Sequence, residues 1–573
     1  MNTENRQPAP DRPHQTARTR PPAPDRPHQT ARTESVKECQ HRRPLVSTRS
    51  WLAAILLAFA SPCLADSSAV WNLNPTSGNW NTAANWTPAT VPGGVTGTAR
   101  FGVSNVTQVS NSSFVAIGTI SFSRGASAFT ITGTPSNGIS FVGQGIVNDS
   151  GVVQNFVVAA DQAGGAGTIV FTESSRAGRM AQFTCNAPTS VGTGLPVIAF
   201  EISANAGSAI FDNLGGVTSG AIGGQTDFFD QCSAANATLV NEGALVTGAI
   251  GGMTYFVLRA DAGHAVITSK GSAVGGGGGG GTVFESTAKG ADATLIAEGG
   301  NNGGGGGTIQ FWDSSDGGLA KVRVSGNGNL DISKHSAAPI RIGSLEGDGP
   351  VYLGSKRLTV GNNNLSTIYS GTMQDGGTNG GAGGSLTKSG SGSLTLGGNN
   401  TYTGGTTVSA GSLLVNGTTG SGAVNVDAGT LGGGGTMTGA VTIGTGSGGG
   451  AFLAPAGGTK IQATLTLQSG LTFNAGATYT YTFKARKKKA KSDKVIANGV
   501  TINSGASIAL SGQSKGALTP GLTLTLIRNT SVNPINGTFA NLPDGGIVTI
   551  NGNNFQANYG GGDGNDLTLT VVQ

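Results

Sequence analysis

The chain has 573 residues, of which 99 are glycine, with 37% hydrophobic, 11% charged and 6% aromatic residues and a formal net charge of +5. Glycine at this density without a Gly-X-Y period is not collagen, and inside helices it would cost about 1 kcal/mol per residue, which excludes an α-solenoid. The charge is local: residues 1–50 hold ten Lys/Arg against five Asp/Glu, residues 51–65 hold neither, and the rest balances at 24 of each. The net positive field that a nucleic acid would seek is therefore missing beyond the leader.

Residues 1–41 form a polar, proline- and arginine-rich leader containing a near-perfect tandem copy, RQPAPDRPHQTART at 6–19 and RPPAPDRPHQTART at 20–33. It has nothing to bury and reads as disordered; either it extends the export signal or translation starts downstream of it. Residues 42–65 follow as a signal peptide: Arg42, Arg43 and Arg49, the apolar run Trp51–Ala60, and a small residue, Ala65, after which cleavage is expected. The run is too short to span a bilayer, so no transmembrane span is expected in the mature chain. Pro62 directly before Cys63 spoils a lipoprotein anchor.

Residues 66–100 hold Trp71, Trp80 and Trp86 among turn residues. They suit a cap that plugs the open end of a stack; the competing reading is an aromatic carbohydrate platform.

Residues 101–345 carry the strongest periodicity. Phe171, Phe200, Phe228, Phe256, Phe284 and Phe311 are spaced by 29, 28, 28, 28 and 27 residues, and each is followed nine or ten residues on by Ala181, Ala209, Ala237, Ala265, Ala293 or Ala320. The spacing predicts one supersecondary unit per repeat: a strand ending at Phe, a polar turn, a strand after the Ala, and a glycine-rich return. Propeller blades usually run to about 40–50 residues, so a parallel β-helix, a β-solenoid, fits better. At ~4.8 Å per coil the phenylalanines would form an inward ladder in the core, and the alanines a tight corner or a narrow part of it. Taking ~25 residues per coil predicts roughly 20 coils.

Residues 346–480 continue the solenoid and contain, at 386–417, LTKSGSGSLTLGGNNTYTGGTTVSAGSLLVNG. In this stretch SLTL and SLLV alternate apolar with small or polar residues, while NNTYTGG and SAGS supply corners. Leu386, Thr387, Lys388, Gly390, Gly392, Leu394, Leu396, Asn400, Tyr402, Gly404, Gly405, Thr406, Ala410, Gly411, Leu413 and Val415 carry a resemblance to the autotransporter-associated β-strand repeat of passenger-type secreted proteins. The resemblance implies a right-handed parallel β-helix, exported and displayed at the outer surface of Gram-negative-type cells. It departs from the family at the C-terminus, where no run of amphipathic strands with aromatic girdles is legible as a barrel. Self-translocation is therefore not expected, and a separate barrel translocator is the alternative.

Residues 481–573 read as final β coils and a cap. Lys484, Arg486, Lys487, Lys488, Lys489 and Lys491 interrupt two apolar runs as an exposed loop, either solubilising or in contact with an anionic ligand such as polysaccharide or lipid headgroups. GGDGND at 561–566 has the look of a calcium-binding nonapeptide, but such sites need stacked copies, so a plain turn is expected.

No catalytic constellation emerges. A pectin-lyase-like hydrolase would need carboxylates meeting on one face, whereas Asp227, Asp230, Asp261, Asp292, Asp313, Asp316 and Asp331 are spread out, Asp261 and Asp292 lying five and eight residues after their phenylalanines. His264 and His335 show no evident partner. Cys185 and Cys232 sit at different phases, so pairing is not implied. No cofactor or metal site is expected. The sequence reads as an exported, non-enzymatic, structural or adhesive β-solenoid, with cell-envelope or extracellular polysaccharide, or other surface proteins, as partners; a carbohydrate-active β-helix is the alternative.

Overall fold

The structure, a computed structural model, describes residues 66–162, 165–191, 194–336, 339–457 and 461–573. The leader and signal-peptide expectations, including cleavage at Ala65, lie outside the described residues.

Short β-branched and aromatic runs punctuated by glycine favour strands, and the described residues contain no α-helix. Between residues 168 and 311 each repeat gives a four-residue strand ending in phenylalanine: Thr168–Phe171, Val197–Phe200, Gln225–Phe228, Met253–Phe256, Gly281–Phe284 and Thr308–Phe311. They pair in parallel with Phe opposite Phe at every step. The rings stack at 4.7–4.8 Å, 6–9° from parallel, which is the strand spacing itself. The ladder starts one rung earlier than the 28-residue spacing suggests, because Phe141 stacks on Phe171 at 4.5 Å.

A second parallel sheet faces this one across the core. Its central strands, Arg179–Cys185, Ser208–Asn213, Thr238–Asn241, Val266–Ser269, Thr294–Ala297 and Lys321–Val324, begin within two residues of the marked alanines, all of which are buried. Phe171 and Phe200 meet Phe183 and Phe211 of this sheet edge-on at 5.8 and 5.7 Å. The polar turn between the two sheets adds a single bridging residue per coil: Arg176, Asn205, Ser233, Asp261, Lys289 and Asp316.

The glycine-rich return is glycine because backbone lies directly on backbone. A Cβ on Gly251 would fall 2.5 Å from the carbonyl of Gly279, and one on Gly279 would fall 2.1 Å from the carbonyl oxygen of Gly306. The runs 275–281 and 303–307 are thus in phase, as their spacing predicts. The core behind them is not wholly apolar. Asn213 Nδ2 donates to Asn241 Oδ1 at 2.8 Å, and the Thr226 and Thr254 hydroxyls donate to the Oδ1 atoms of Asn213 and Asn241, each at 2.8 Å. Each buried amide is therefore partnered by the coil beside it, as burial requires.

From Ile340 a third parallel sheet runs from Ile340–Ile342 to Val500–Ile502. The coils shorten here, with Leu394 pairing with Leu413 and Leu396 with Val415. Within the stretch that resembles the passenger repeat, Leu386, Leu394, Leu396, Tyr402, Leu413 and Val415 all point into the core. Tyr402 Oη shares a 2.6 Å hydrogen bond with Thr406 Oγ1. Asn400 accepts from the Met373 amide at 2.9 Å and donates to the Thr418 carbonyl at 2.7 Å, tying three coils at one corner.

At the N-terminal end Trp71, Trp80 and Trp86 are buried against one another and against Phe101, with centroid separations of 4.9–5.9 Å. Their faces are spent on packing rather than open to a sugar ring. At the C-terminal end the pattern turns antiparallel. Thr523–Asn529, Asp566–Val572, Asn553–Gly561 and Ile547–Ile550 form a meander. The stack has about 16 turns, fewer than the 20 expected, since the array uses 27–29 residues per coil and the final residues do not coil.

Candidate functional site

The strand Thr478–Arg486 is longer than its neighbours and alternates strictly. Tyr479, Tyr481, Phe483 and Ala485 face inward, whereas Lys484 and Arg486 face solvent. It overruns the sheet, turns at Lys487-Lys488, and returns antiparallel as Lys489–Ser492. The base of this hairpin is fixed by Asp493, a buried carboxylate that accepts from the Thr482 amide at 2.9 Å, the Thr482 hydroxyl at 2.8 Å and the Ala463 amide at 3.0 Å. On its other side the long strand pairs in parallel with Ser507–Ser514, placing Gln513 beside Lys484. Lys515 follows, its amide donating to the Ala485 carbonyl at 3.3 Å.

Between this arm and residues 522–525 lies a groove of about 920 Å³. Its walls carry Lys484, Arg486, Lys488, Lys489, Lys491, Lys494 and Lys515, its apolar lining includes Leu522 and Leu524, and no carboxylate or aromatic ring lines it. Five of the six basic residues singled out in the sequence therefore converge; Lys487, at the tip, does not line the groove. Lys494 and Lys515 were missed, since one lies beyond the charge run and the other is brought alongside only by the parallel pairing.

The acidic residues tell a different story. Asp261 accepts from Ser233 Oγ at 2.8 Å and from the Gly263 amide at 2.9 Å. Asp316 pairs with Arg341 at 2.6 Å, and Asp331 accepts from the Thr378 amide and hydroxyl at 2.8 and 2.7 Å. His264 does have a partner: its Nδ1 lies 3.2 Å from Asp292 Oδ2, twenty-eight residues on, at a solvent-exposed site. His335 is likewise held, with Nε2 2.8 Å from the Ser315 carbonyl. Both pairings join neighbouring coils, which is why no local motif announces them. In GGDGND the turn joins two antiparallel strands, and Asp566 accepts from the Asn529 amide at 2.9 Å.

One acidic feature was not foreseen. On the outward side of the phenylalanine sheet Asp227 sits between Ala199 and Tyr255 in the ladder, buried, with Gln225 Nε2 donating to both its oxygens at 2.7 and 2.8 Å. Burial pushes its carboxyl up to about 7, aided by repulsion from Glu285. Glu285 and Glu201 are also pushed up to about 7, by burial and then by Asp313 and Asp230 respectively. Trp312 lies on the same face, its Nε1 donating to Gln310 at 3.1 Å and its ring 3.9 Å from Lys334 Nζ. Cys185 and Cys232 are separate buried thiols, both pushed up to about 12 by burial.

No helix among the described residues is long and apolar enough to cross a membrane, which leaves β-barrels unaddressed. No curated protein matches the sequence. Among solved structures, the crystal structure of the Haemophilus influenzae Hap adhesin is similar, at 12% identity and a TM-score of 0.27. The alignment covers 83% of this chain and 64% of that one, so the chain spans less than two thirds of the Hap structure, and a superposition this loose assigns no function. Residues 386–415 match the family model of the passenger-associated-transport-repeat. The chain thus carries a passenger-associated-transport-repeat, set within the coils of a parallel β-solenoid.

Proposed function

We propose that this chain is an exported β-helical protein of the cell surface or extracellular matrix, with a structural and adhesive role rather than a catalytic one. The observation that carries the reading is the passenger-associated-transport-repeat at 386–415, set in a stack whose register is kept from coil to coil. A stack of this kind presents the same turn again and again, and repeated weak contacts add up to avidity without a deep pocket. The basic n-region and short apolar run of residues 42–65 support export. The test is expression of the full chain in its own cells, followed by fractionation, surface proteolysis and N-terminal sequencing. The expected result is material on the envelope or in the medium beginning at Asp66; retention in the cytoplasm with an unprocessed start would overturn it.

A second reading, a carbohydrate-active β-helix, is favoured by the buried carboxyls Asp227 and Glu285 with acidities near neutrality. Incubation with a panel of polysaccharides, followed by assays for new reducing ends and unsaturated products, separates the two.

A further inference from the structure

The lysine arm sets like charges against one another. Across the hairpin Lys484 lies directly opposite Lys491, and Arg486 opposite Lys489. Like charges directly opposite one another destabilise a sheet. Lys487 takes φ 48, a left-handed conformation that glycine or asparagine would adopt more readily. A merely solubilising loop has no need to set cation against cation in register, and alternating signs would serve it better. Two like-charge pairs and a strained lysine at one turn, with two more lysines delivered from other strands, instead resemble a site completed by an anion.

We propose that this groove binds a linear acidic polysaccharide, a deepening that rests on the exported reading above. Three features select that occupant. The groove has a volume of about 920 Å³, the upper part of the range usual for ligand clefts. Its cations repeat across adjacent strands, Arg486 opposite Lys489 and Lys484 opposite Lys491, with Lys515 just past the end of the strand on the other side, at the ~4.8 Å spacing of a sheet, close to the advance of one sugar ring along a glycan. Finally, the walls hold no aromatic ring, and single-stranded nucleic acids are held by base stacking on such rings. Leu522 and Leu524 give the apolar faces of the sugars a surface to lie on.

The test uses the purified full chain, with polygalacturonate as the acidic glycan, neutral dextran as the uncharged one, and an oligo-dT strand of matched charge. The wild type should bind polygalacturonate, weaken with added salt as screening requires, and ignore dextran. The combined variant Arg486→Gln, Lys489→Gln, Lys491→Gln and Lys515→Gln should lose at least tenfold in affinity, whereas Lys489→Arg with Lys491→Arg should retain binding. Lys321→Gln, on a distant strand, should change nothing. Because the combined variant relieves repulsion it should melt no lower than wild type, so loss of binding cannot be ascribed to unfolding. Unchanged binding by the combined variant overturns the proposal and leaves the export reading standing. Tighter binding of oligo-dT than of polygalacturonate overturns it in favour of nucleic acid. Failure of export in the fractionation experiment counts against the broader reading while the measured affinity stands.

Discussion

Lys388 Nζ donates to the carbonyl of Ala410, one coil on, at 3.3 Å, and to Gly390 at 3.0 Å. A third bond goes to the Ser389 carbonyl, and the side chain is almost wholly buried. This lysine of the passenger repeat is therefore a bracket between successive arches, its ammonium supplying donors that the glycine-rich corner lacks. Burial pulls its pKa down to about 8.

Lys388→Met keeps most of the apolar stem and removes the donors. Buried unsatisfied carbonyls cost about 1–3 kcal/mol each, so the variant should unfold at distinctly lower urea, and a midpoint equal to wild type would refute the bracket.

The raised carboxyls should make the protein more stable near pH 5 than near pH 8. Glu201, Asp227 and Glu285 bind protons up to about pH 7 when folded, against ordinary values of 4.5, 3.8 and 4.5. Between roughly pH 4 and 7 the folded state therefore holds more protons than the unfolded one, and stability falls as pH rises through that window. Thermal melts at pH 5 should lie above those at pH 8. Asp227→Asn and Glu285→Gln should each flatten the difference; a wild-type profile that rises towards pH 8 would contradict it.

Glycine positions divide by what a methyl group would strike. Gly279→Ala drives a Cβ to 2.1 Å from the Gly306 carbonyl oxygen, backbone against backbone, whereas a Cβ on Gly102 meets nothing within 4 Å. Gly279→Ala should fold poorly, and Gly102→Ala should stay within about 0.5 kcal/mol of wild type, the usual range for an innocuous surface change. Equal melting temperatures for the two would be inconsistent with stacked arches.

Phe228 stacks on Phe200 and Phe256 at 4.7 and 4.8 Å and is fully buried. Phe228→Ala should cost about 3–5 kcal/mol, read as a shift in urea midpoint. A loss below 1 kcal/mol would mean that the ladder is ornamental.

Cys185 and Cys232 should resist alkylation in the folded protein, since both thiols are buried and pushed up to about 12. Peptide mapping after iodoacetamide should find them unmodified until denaturant is added.

The parallel stack, the inward phenylalanine ladder, the recurring buried alanines and the phase of the glycine runs can be read from the residues alone. In a parallel in-register array like must lie on like, so the architecture is written as a spacing that needs no partner to be read. The passenger repeat was legible for the same reason. Packing in three dimensions sets the contacts whose meaning depends on which residue a neighbouring strand presents: Asp292 beside His264, Ala410 above Lys388, Asn241 completing Asn213, and Lys515 joining the lysine arm. Asp227 shows the reason most plainly. It lies in the same strand register as Ala199 and Tyr255, and its raised pKa comes from burial and from Glu285 farther along the chain, a property of the packed stack that no residue carries in its own sequence position.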